Sequence, residues 1–154
     1  MSGYRFRQME DEEAVEISGW HYEPPYDFYD ATSDPGDLEE LLDPKRRKDA
    51  YFSVFDSGGV LIGFFQFEKE GKTVDVGLSM KPDLTGKGLG VGYLLAGLEF
   101  ARRRFSPERF TLSVAKFNER AILVYERAGF RRNTVYKHNT NGGEYLFLSM
   151  AREA

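Results

Sequence analysis

The sequence contains no cysteine, and this absence removes several kinds of chemistry at once. Disulfides, thiolate metal sites and a cysteine nucleophile are all excluded. Histidine is scarce as well: His21 and His138 are the two in the chain, and neither suggests a metal site, so no metal is expected. A chain without cysteine fits a reducing compartment, and the expected location is the cytoplasm.

Long apolar runs and an excess of positive charge are also missing. No stretch reaches the roughly 18 apolar residues of a membrane helix, and residues 1–8 lack the apolar core of a signal peptide, so no membrane association is expected. The net charge of −4 counts against nonspecific nucleic-acid binding, which normally needs a basic face. The basic cluster from Lys45 to Lys48 is interpreted as a solvated loop.

The residues that are present describe an ordinary globular chain. Of the 154 residues, 41% are hydrophobic, and 13 Phe, 9 Tyr and 1 Trp favour a packed interior over disorder. No repeat, low-complexity segment or linker divides the chain, so residues 1–154 are expected to form one domain.

The pattern of apolar residues predicts the secondary structure. Strand-forming segments bounded by turn residues lie at 4–7, 50–55, 60–68, 74–80, 109–114, 131–138 and 144–150. Helical spacing occurs at 11–18, 37–42, 91–101 and 121–128. Between the first two helices, residues 19–35 are aromatic and acidic and are expected to form an ordered loop. The prediction is a mixed α/β (α+β) fold, with a central, mostly antiparallel, twisted sheet of six to seven strands flanked by about four helices.

A glycine-rich turn from Thr85 to Gly92 lies between a predicted strand and a predicted helix. Its glycines let the backbone approach a ligand, and the helix that follows offers unpaired N–H groups and a positive dipole end, which together suit a pyrophosphate. Lys87 adds a point charge. Neither the Walker spacing nor G-x-G-x-x-G fits in any register. The alternative is a flexible turn whose glycines serve tight packing.

A second motif, Asn118-x-x-Ala121-x-x-x-Tyr125-x-x-x-Gly129-Phe130, follows the next predicted strand. Asn118 is placed to cap the helix that follows it. Taken alone, Tyr125 has the pattern of a core residue.

In this order, the two motifs resemble the GNAT superfamily of N-acetyltransferases. The likeness includes the strand 74–80, the turn 86–90 and the Asn118 to Phe130 block, and it extends along the chain from Tyr4 to Met150. Among subgroups, the chain looks like the small bacterial RimI-type members. The resemblance implies a GNAT-like fold, acetyl-CoA as the coenzyme and transfer of an acetyl group to a primary amine by direct attack.

The resemblance also implies a role for each part of the coenzyme site. The strand backbone at Leu78 and Met80 would pair with the pantetheine arm, amides of the turn would hold the pyrophosphate, Asn118 would bond the coenzyme, and Tyr125 would protonate the departing thiolate. The implied coenzyme-binding residues are Leu78, Ser79, Met80, Thr85, Gly86, Lys87, Gly88, Leu89, Gly90, Val91, Asn118 and Tyr125. Thr85 departs from the family pattern, which begins the turn with Gln or Arg.

Candidates for the base and the acceptor site come from residue chemistry. Asp75 is the first candidate to take a proton from the amine and Glu68 the second, although both also fit exposed strand carboxylates. An aromatic groove for the acceptor is expected from Trp20, Tyr22, Tyr26, Phe28 and Tyr29. Neighbouring Glu23, Asp27 and Asp30 would attract its cation, unless these aromatics form a hydrophobic cluster under the loop.

Other functions fit the same residues. The main alternative is a non-catalytic CoA-binding or sensor module on the same fold. A general nucleotide-binding domain and an interaction protein that docks through the aromatic loop are the others. The acceptor is expected to be a small-molecule or peptide amine, and the protein a monomer or a homodimer.

Overall fold

A seven-stranded sheet organises residues 3–154, the part of the chain that this computed structural model describes. The strands are β1 (Arg5–Gln8), β2 (Tyr51–Phe55), β3 (Leu61–Glu70), β4 (Thr73–Met80), β5 (Arg109–Ala115), β6 (Arg131–Thr140) and β7 (Gly143–Glu153). The helices are α1 (Asp11–Ser18), α2 (Pro35–Leu42), α3 (Pro44–Arg47), α4 (Gly90–Phe105) and α5 (Glu119–Arg127). Short 3₁₀ turns occur at Tyr26–Tyr29, Ala31–Ser33 and Pro82–Leu84.

The strand order is β1-β2-β3-β4-β5-β7-β6, and every neighbouring pair is antiparallel except β4 and β5. Alternating residues of the strands point to opposite faces of the sheet, and each face packs into its own hydrophobic core. On one face, Phe65, Val76 and Leu112 pack with the apolar sides of α4 and α5. On the other face, Tyr51 and Leu61 pack with α1 and α2. The predicted mixed fold with a mostly antiparallel sheet is confirmed.

Helix α4 lies unusually close to the sheet at Gly97. A Cβ built on Gly97 would stand 2.2 Å from ring carbons of Phe65, so no larger residue fits without movement. Phe65 in turn stacks on Phe67 at 5.6 Å between ring centroids. The glycine therefore sets the distance at which α4 packs.

The prediction of a solvated loop at Lys45 to Lys48 is wrong for the backbone, because residues 44–47 form the short helix α3, and for Arg47, whereas Lys45, Arg46 and Lys48 are exposed as expected. The Asp43 side chain accepts a hydrogen bond from the N–H of Lys45, and Pro44 occupies the first helical position, which are both helix-starting features. Arg47 is 2% exposed. Its guanidinium donates to the Leu41 carbonyl at 2.7 Å and pairs with Asp11.

The sheet splits between β4 and β5. These parallel strands pair only over residues 73–75 of β4 and 109–111 of β5. Beyond that point β4 continues along β3 to Met80, and β5 continues along β7 to Ala115. We call residues 76–80 the β4 arm and residues 112–115 the β5 arm, and the space between them the gap.

None of the helices within residues 3–154 is both long enough and apolar enough to cross a bilayer.

Candidate active site

The backbone of the β4 arm presents polar groups to the gap that are not bonded to β3, although the Met80 carbonyl among them accepts a hydrogen bond from the Tyr22 hydroxyl. The N–H of Lys81 donates to the carbonyl of Ile62 at 2.7 Å, which fixes the phase of the β3–β4 ladder. Because bonding alternates along an antiparallel strand, the N–H and C=O groups of Val76, Leu78 and Met80 point away from β3 and toward the gap. Leu78 and Met80 are the two residues whose backbone was predicted to pair with an extended ligand.

Two cavities, of about 470 Å³ and about 380 Å³, open on either side of this arm. The larger reaches toward α1, α2 and the aromatic loop, and the smaller toward the glycine-rich turn and α5. The residues that line both are Leu78, Ser79, Met80, Thr85, Arg120 and Tyr125. The two cavities therefore meet at the β4 arm and Tyr125.

The glycine-rich turn forms the far wall of the smaller cavity. Gly86 and Gly88 have φ values of +72° and +77°, a conformation that glycine adopts without strain. Helix α4 begins at Gly90, and no side chain caps its first turn, so N–H groups there point outward without a side-chain partner. The predicted residues of the turn line this cavity except Lys87, which is exposed and does not.

Thr85 uses its hydroxyl locally. The Oγ1 donates to the carbonyl of Pro82 at 2.7 Å and so closes the 3₁₀ turn at 82–84. Its single proton is therefore not available to an anion in the cavity.

Arg120 supplies a positive charge to the lining of the smaller cavity, which Lys87 of the turn does not reach. Its Nη1 lies 3.4 Å from the position that a Cβ on Gly86 would take, and its guanidinium stands over the Tyr26 ring at 4.0 Å. Arg120 was not predicted as a site residue, although the sequence has a cation two positions after Asn118.

Asn118 is 8% exposed and its side chain makes two hydrogen bonds. Its Oδ1 accepts from the N–H of Ala121 at 3.1 Å, which confirms the predicted cap of α5. Its Nδ2 donates to the Tyr29 hydroxyl at 3.1 Å. One N–H of the amide is left for a ligand.

The Tyr125 side chain lies on α5 at the junction of the two cavities. Burial, and to a lesser degree the neighbouring Tyr29, raise the pKa of Tyr125. The phenol is therefore protonated throughout the neutral range and is a proton donor rather than a base.

Asp75 and Glu68 are not brought together with Tyr125. They face each other across β3 and β4, and neither lines a cavity. Asp75 accepts a hydrogen bond from the Thr111 hydroxyl at 2.7 Å, at the closed end of the gap. Burial and then Glu68 raise the pKa of Asp75, while the Thr111 bond lowers it. The strands part only beyond residue 75, which is why this carboxylate does not reach the opening.

Four of the five predicted aromatic acceptor residues line the larger cavity: Trp20, Tyr22, Tyr26 and Tyr29. Phe28 does not, because its ring packs edge-on against Tyr145 at 4.9 Å and Phe117 at 5.4 Å. The loop thus combines a cavity wall with a hydrophobic cluster.

The acidic residues at the larger cavity differ from those expected. Glu23, Asp27 and Asp30 do not line it; Asp30 instead pairs with His21 at 2.9 Å and accepts from the N–H of Tyr22. Asp37 and Glu40, on α2, do line it. Burial and the nearby carboxylates of Asp34 and Glu40 raise the pKa of Asp37.

Comparison with known proteins adds an independent finding. Residues 7–130 match the model of the Acetyltransferase (GNAT) family. Spermidine N-acetyltransferase from Vibrio cholerae, solved in complex with CoA and spermine, is 19% identical, with 98% of this chain and 95% of that chain covered and a TM-score of 0.76. A chimera of the Vibrio cholerae enzyme SpeG and hSSAT is 21% identical, with 99% and 96% covered and a TM-score of 0.78.

A GNAT-family acetyltransferase from Bacillus anthracis is 16% identical, with 99% and 95% covered and a TM-score of 0.73. At these identities the likeness establishes a shared fold. A comparison with curated proteins found no significant match. The RimI-type subgroup stays a prediction. Since the family model matches most of the chain, the protein belongs to the GNAT family of acetyltransferases.

Proposed function

We propose that this protein transfers the acetyl group of acetyl-CoA to a primary amine that carries a second positive charge. The observation that carries the proposal is the gap in the sheet. The edge of the β4 arm and the protonated Tyr125 lie where the two cavities meet. The smaller cavity is lined by the glycine-rich turn, and the larger by aromatic and acidic side chains.

Acetyl-CoA is the acetyl donor of this family, and the residues of the gap fit it. The β4 arm offers Leu78 and Met80 as partners for the amides of the pantetheine arm, as an added strand would be bound. The N-terminal turn of α4 and the positive-φ turn before it suit a pyrophosphate. Arg120 beside Gly86 provides a long polar side chain, here a cationic one, at the turn where the family pattern has Gln or Arg at position 85. The coenzyme supplies an activated thioester.

The chemistry is a direct transfer. The amine nitrogen forms a bond to the thioester carbonyl carbon as the carbon–sulfur bond breaks. Tyr125 gives its proton to the departing sulfur, a contribution of about 10²–10⁴-fold in rate, and the proton that the nitrogen loses on becoming an amide returns to the Tyr125 oxygen. N–H groups of the β4 arm polarise the carbonyl oxygen.

The amine must first lose a proton, because a lysine-like amine has a pKa of about 10.4. We assign that proton to water in the larger cavity. Asp75 and Glu68 would act only through further water molecules, since both lie outside the cavity.

The acceptor class follows from the lining of the larger cavity. Aromatic rings of Trp20 and Tyr22 suit an alkyl ammonium, and the carboxylates of Asp37 and Glu40 suit a second cationic group. The Vibrio cholerae neighbour, solved with spermine, is an example of a GNAT protein that binds such an amine. A diamine or polyamine is therefore the proposed acceptor.

The test measures thiol release from acetyl-CoA with a diamine and with a monoamine of the same chain length. For the variant Asp37→Asn/Glu40→Gln we expect the KM for the diamine to rise about tenfold, as for loss of a charge-assisted contact, and the KM for the monoamine to change little. Because the pKa of Asp37 is raised, its charge is lost at a higher pH than for an ordinary aspartate. The wild-type KM for the diamine should therefore rise early as pH falls.

Glu39→Gln is the matched control, since Glu39 is exposed on the same helix and does not line the cavity. Equal effects of the double variant on both amines would contradict the proposed acceptor class. CoA binding without thiol release for any amine would instead favour a non-catalytic CoA-binding module.

A further inference from the structure

The aromatic loop connects the two arms of the split sheet. Residues 22–29, which we call the strap, run from the β4 arm to the start of α5 after the β5 arm. Strands β4 and β5 pair with each other over three residue pairs, which lie at the closed end of the gap before the arms begin. Contacts at the open end therefore influence how far apart the arms stand.

Tyr22 holds the β4 end of the strap. Its hydroxyl donates to the carbonyl of Met80 at 2.6 Å and lies 2.7 Å from the Ser79 hydroxyl. The backbone N–H of Tyr22 is itself fixed by the Asp30 carboxylate at 2.8 Å. The phenol thus binds the strand edge that faces the gap.

Tyr29 holds the opposite end. Its hydroxyl accepts the hydrogen bond from Asn118, the residue that caps α5 directly after the β5 arm. The ring stacks on Phe117 at 6.1 Å between centroids. The carbonyl of Phe28, one residue earlier, accepts from Nδ2 of Asn141 at 2.7 Å, which ties the same end to the turn between β6 and β7.

We propose that Tyr22 and Tyr29 are positioning residues that preset the width of the gap for the pantetheine arm of the coenzyme. This inference rests on the proposed function. A gap whose width is fixed before binding lowers the cost of ordering the site, so it increases affinity without any direct contact to the ligand. The same strap carries rings of the acceptor cavity, and the sites for coenzyme and acceptor are therefore coupled in both directions.

The strap works only when both ends are held, and this gives the proposal a distinctive signature. Loss of either hydroxyl should loosen the link between the arms about as much as loss of both, because the Asn141 bond holds the strap to the turn between β6 and β7 and not to the β5 arm. Two independent contacts would instead multiply their effects. The nucleotide end of the coenzyme meets the turn and not the arms, so its binding should not depend on the strap.

The experiment measures Kd by calorimetry for CoA and for 3′-phospho-ADP, which is the nucleotide end without the pantetheine arm. The variants are Tyr22→Phe, Tyr29→Phe and the double variant. We expect each to raise the Kd for CoA about three- to tenfold, the range for one hydrogen bond, and to leave the Kd for 3′-phospho-ADP unchanged. The Kd of the double variant for CoA should be no higher than that of either single variant.

Tyr145→Phe is the matched control, because this phenol lies outside both cavities. Ser79→Ala removes the second partner of the Tyr22 hydroxyl but leaves its bond to the Met80 carbonyl, so it should weaken CoA binding less than Tyr22→Phe does.

Three results would overturn the proposal: an unchanged Kd for CoA, equal weakening of both ligands, or effects of the two tyrosines that multiply. A wild-type protein that does not bind CoA would instead remove the proposed function.

Discussion

Tyr125 is the residue on which the proposed chemistry most depends. For Tyr125→Phe we expect kcat to fall about 10²–10⁴-fold, since the proton donor is lost, with the Kd for CoA nearly unchanged because the ring remains. The donor form is lost only when pH rises through a pKa raised above 10, so the wild-type rate should show no alkaline loss from Tyr125 below about pH 10. Steady-state rates against pH, with CoA calorimetry as the control, test both points. Unchanged kcat in the variant would remove Tyr125 from the reaction.

The sequence was sufficient to predict those site residues that lie close together along the chain. Asn118 and Tyr125 sit at fixed spacings on one helix, so their motif carried enough information to place them together. Arg120 and Asp37 were missed because each reaches the site only when its helix packs against a distant strand or turn. Asp75 was predicted as the base because it lies on the strand expected to bind the coenzyme. That strand is still paired with β5 at Asp75, so the carboxylate does not reach the gap.

Among the helices and strands, the close packing of α4 on the sheet at Gly97 can be tested by a single substitution. In Gly97→Ala the new methyl group would overlap the Phe65 ring, and the clash should outweigh the gain of about 1 kcal/mol in helix propensity. We expect a net loss of about 1–3 kcal/mol in the free energy of unfolding, as for other overpacked cores. Urea denaturation measures it, with Gly92→Ala as the control, because a Cβ on Gly92 would meet nothing within 4 Å. Equal stability of the two variants would contradict this view of the interface.

All seven strands and four of the five helices within residues 3–154 were predicted, with ends shifted by a few residues. Strand β3 extends to Glu70 because its ladder with β4 continues after its side chains become exposed, where hydrophobic alternation gives no signal. Helix α3 was missed since four residues are too short for helical spacing to appear. Its helix-starting pair Asp43-Pro44 was the available signal.

For the whole molecule, the two parts of the sheet should be stabilised together by ligand. CoA at 100 times its Kd adds about 2.7 kcal/mol to the free energy of unfolding. For a chain of this size that corresponds to a rise in Tm of about 5–10 °C. Thermal unfolding followed by circular dichroism, with and without CoA, measures the shift. No shift at saturating CoA would contradict binding to the folded state.

The parallel pairing of β4 with β5 was beyond the sequence analysis, since it depends on the path of the chain through α4. The gap between the arms follows from that pairing, and it leaves a strand edge unpaired near the middle of the sheet. Exposed edges are places where foreign strands add and aggregation begins. Tyr22, bonded to the Met80 carbonyl, covers part of that edge. The same loop that frames the acceptor cavity therefore also protects the coenzyme-free protein from adding a foreign strand at the unpaired edge of β4.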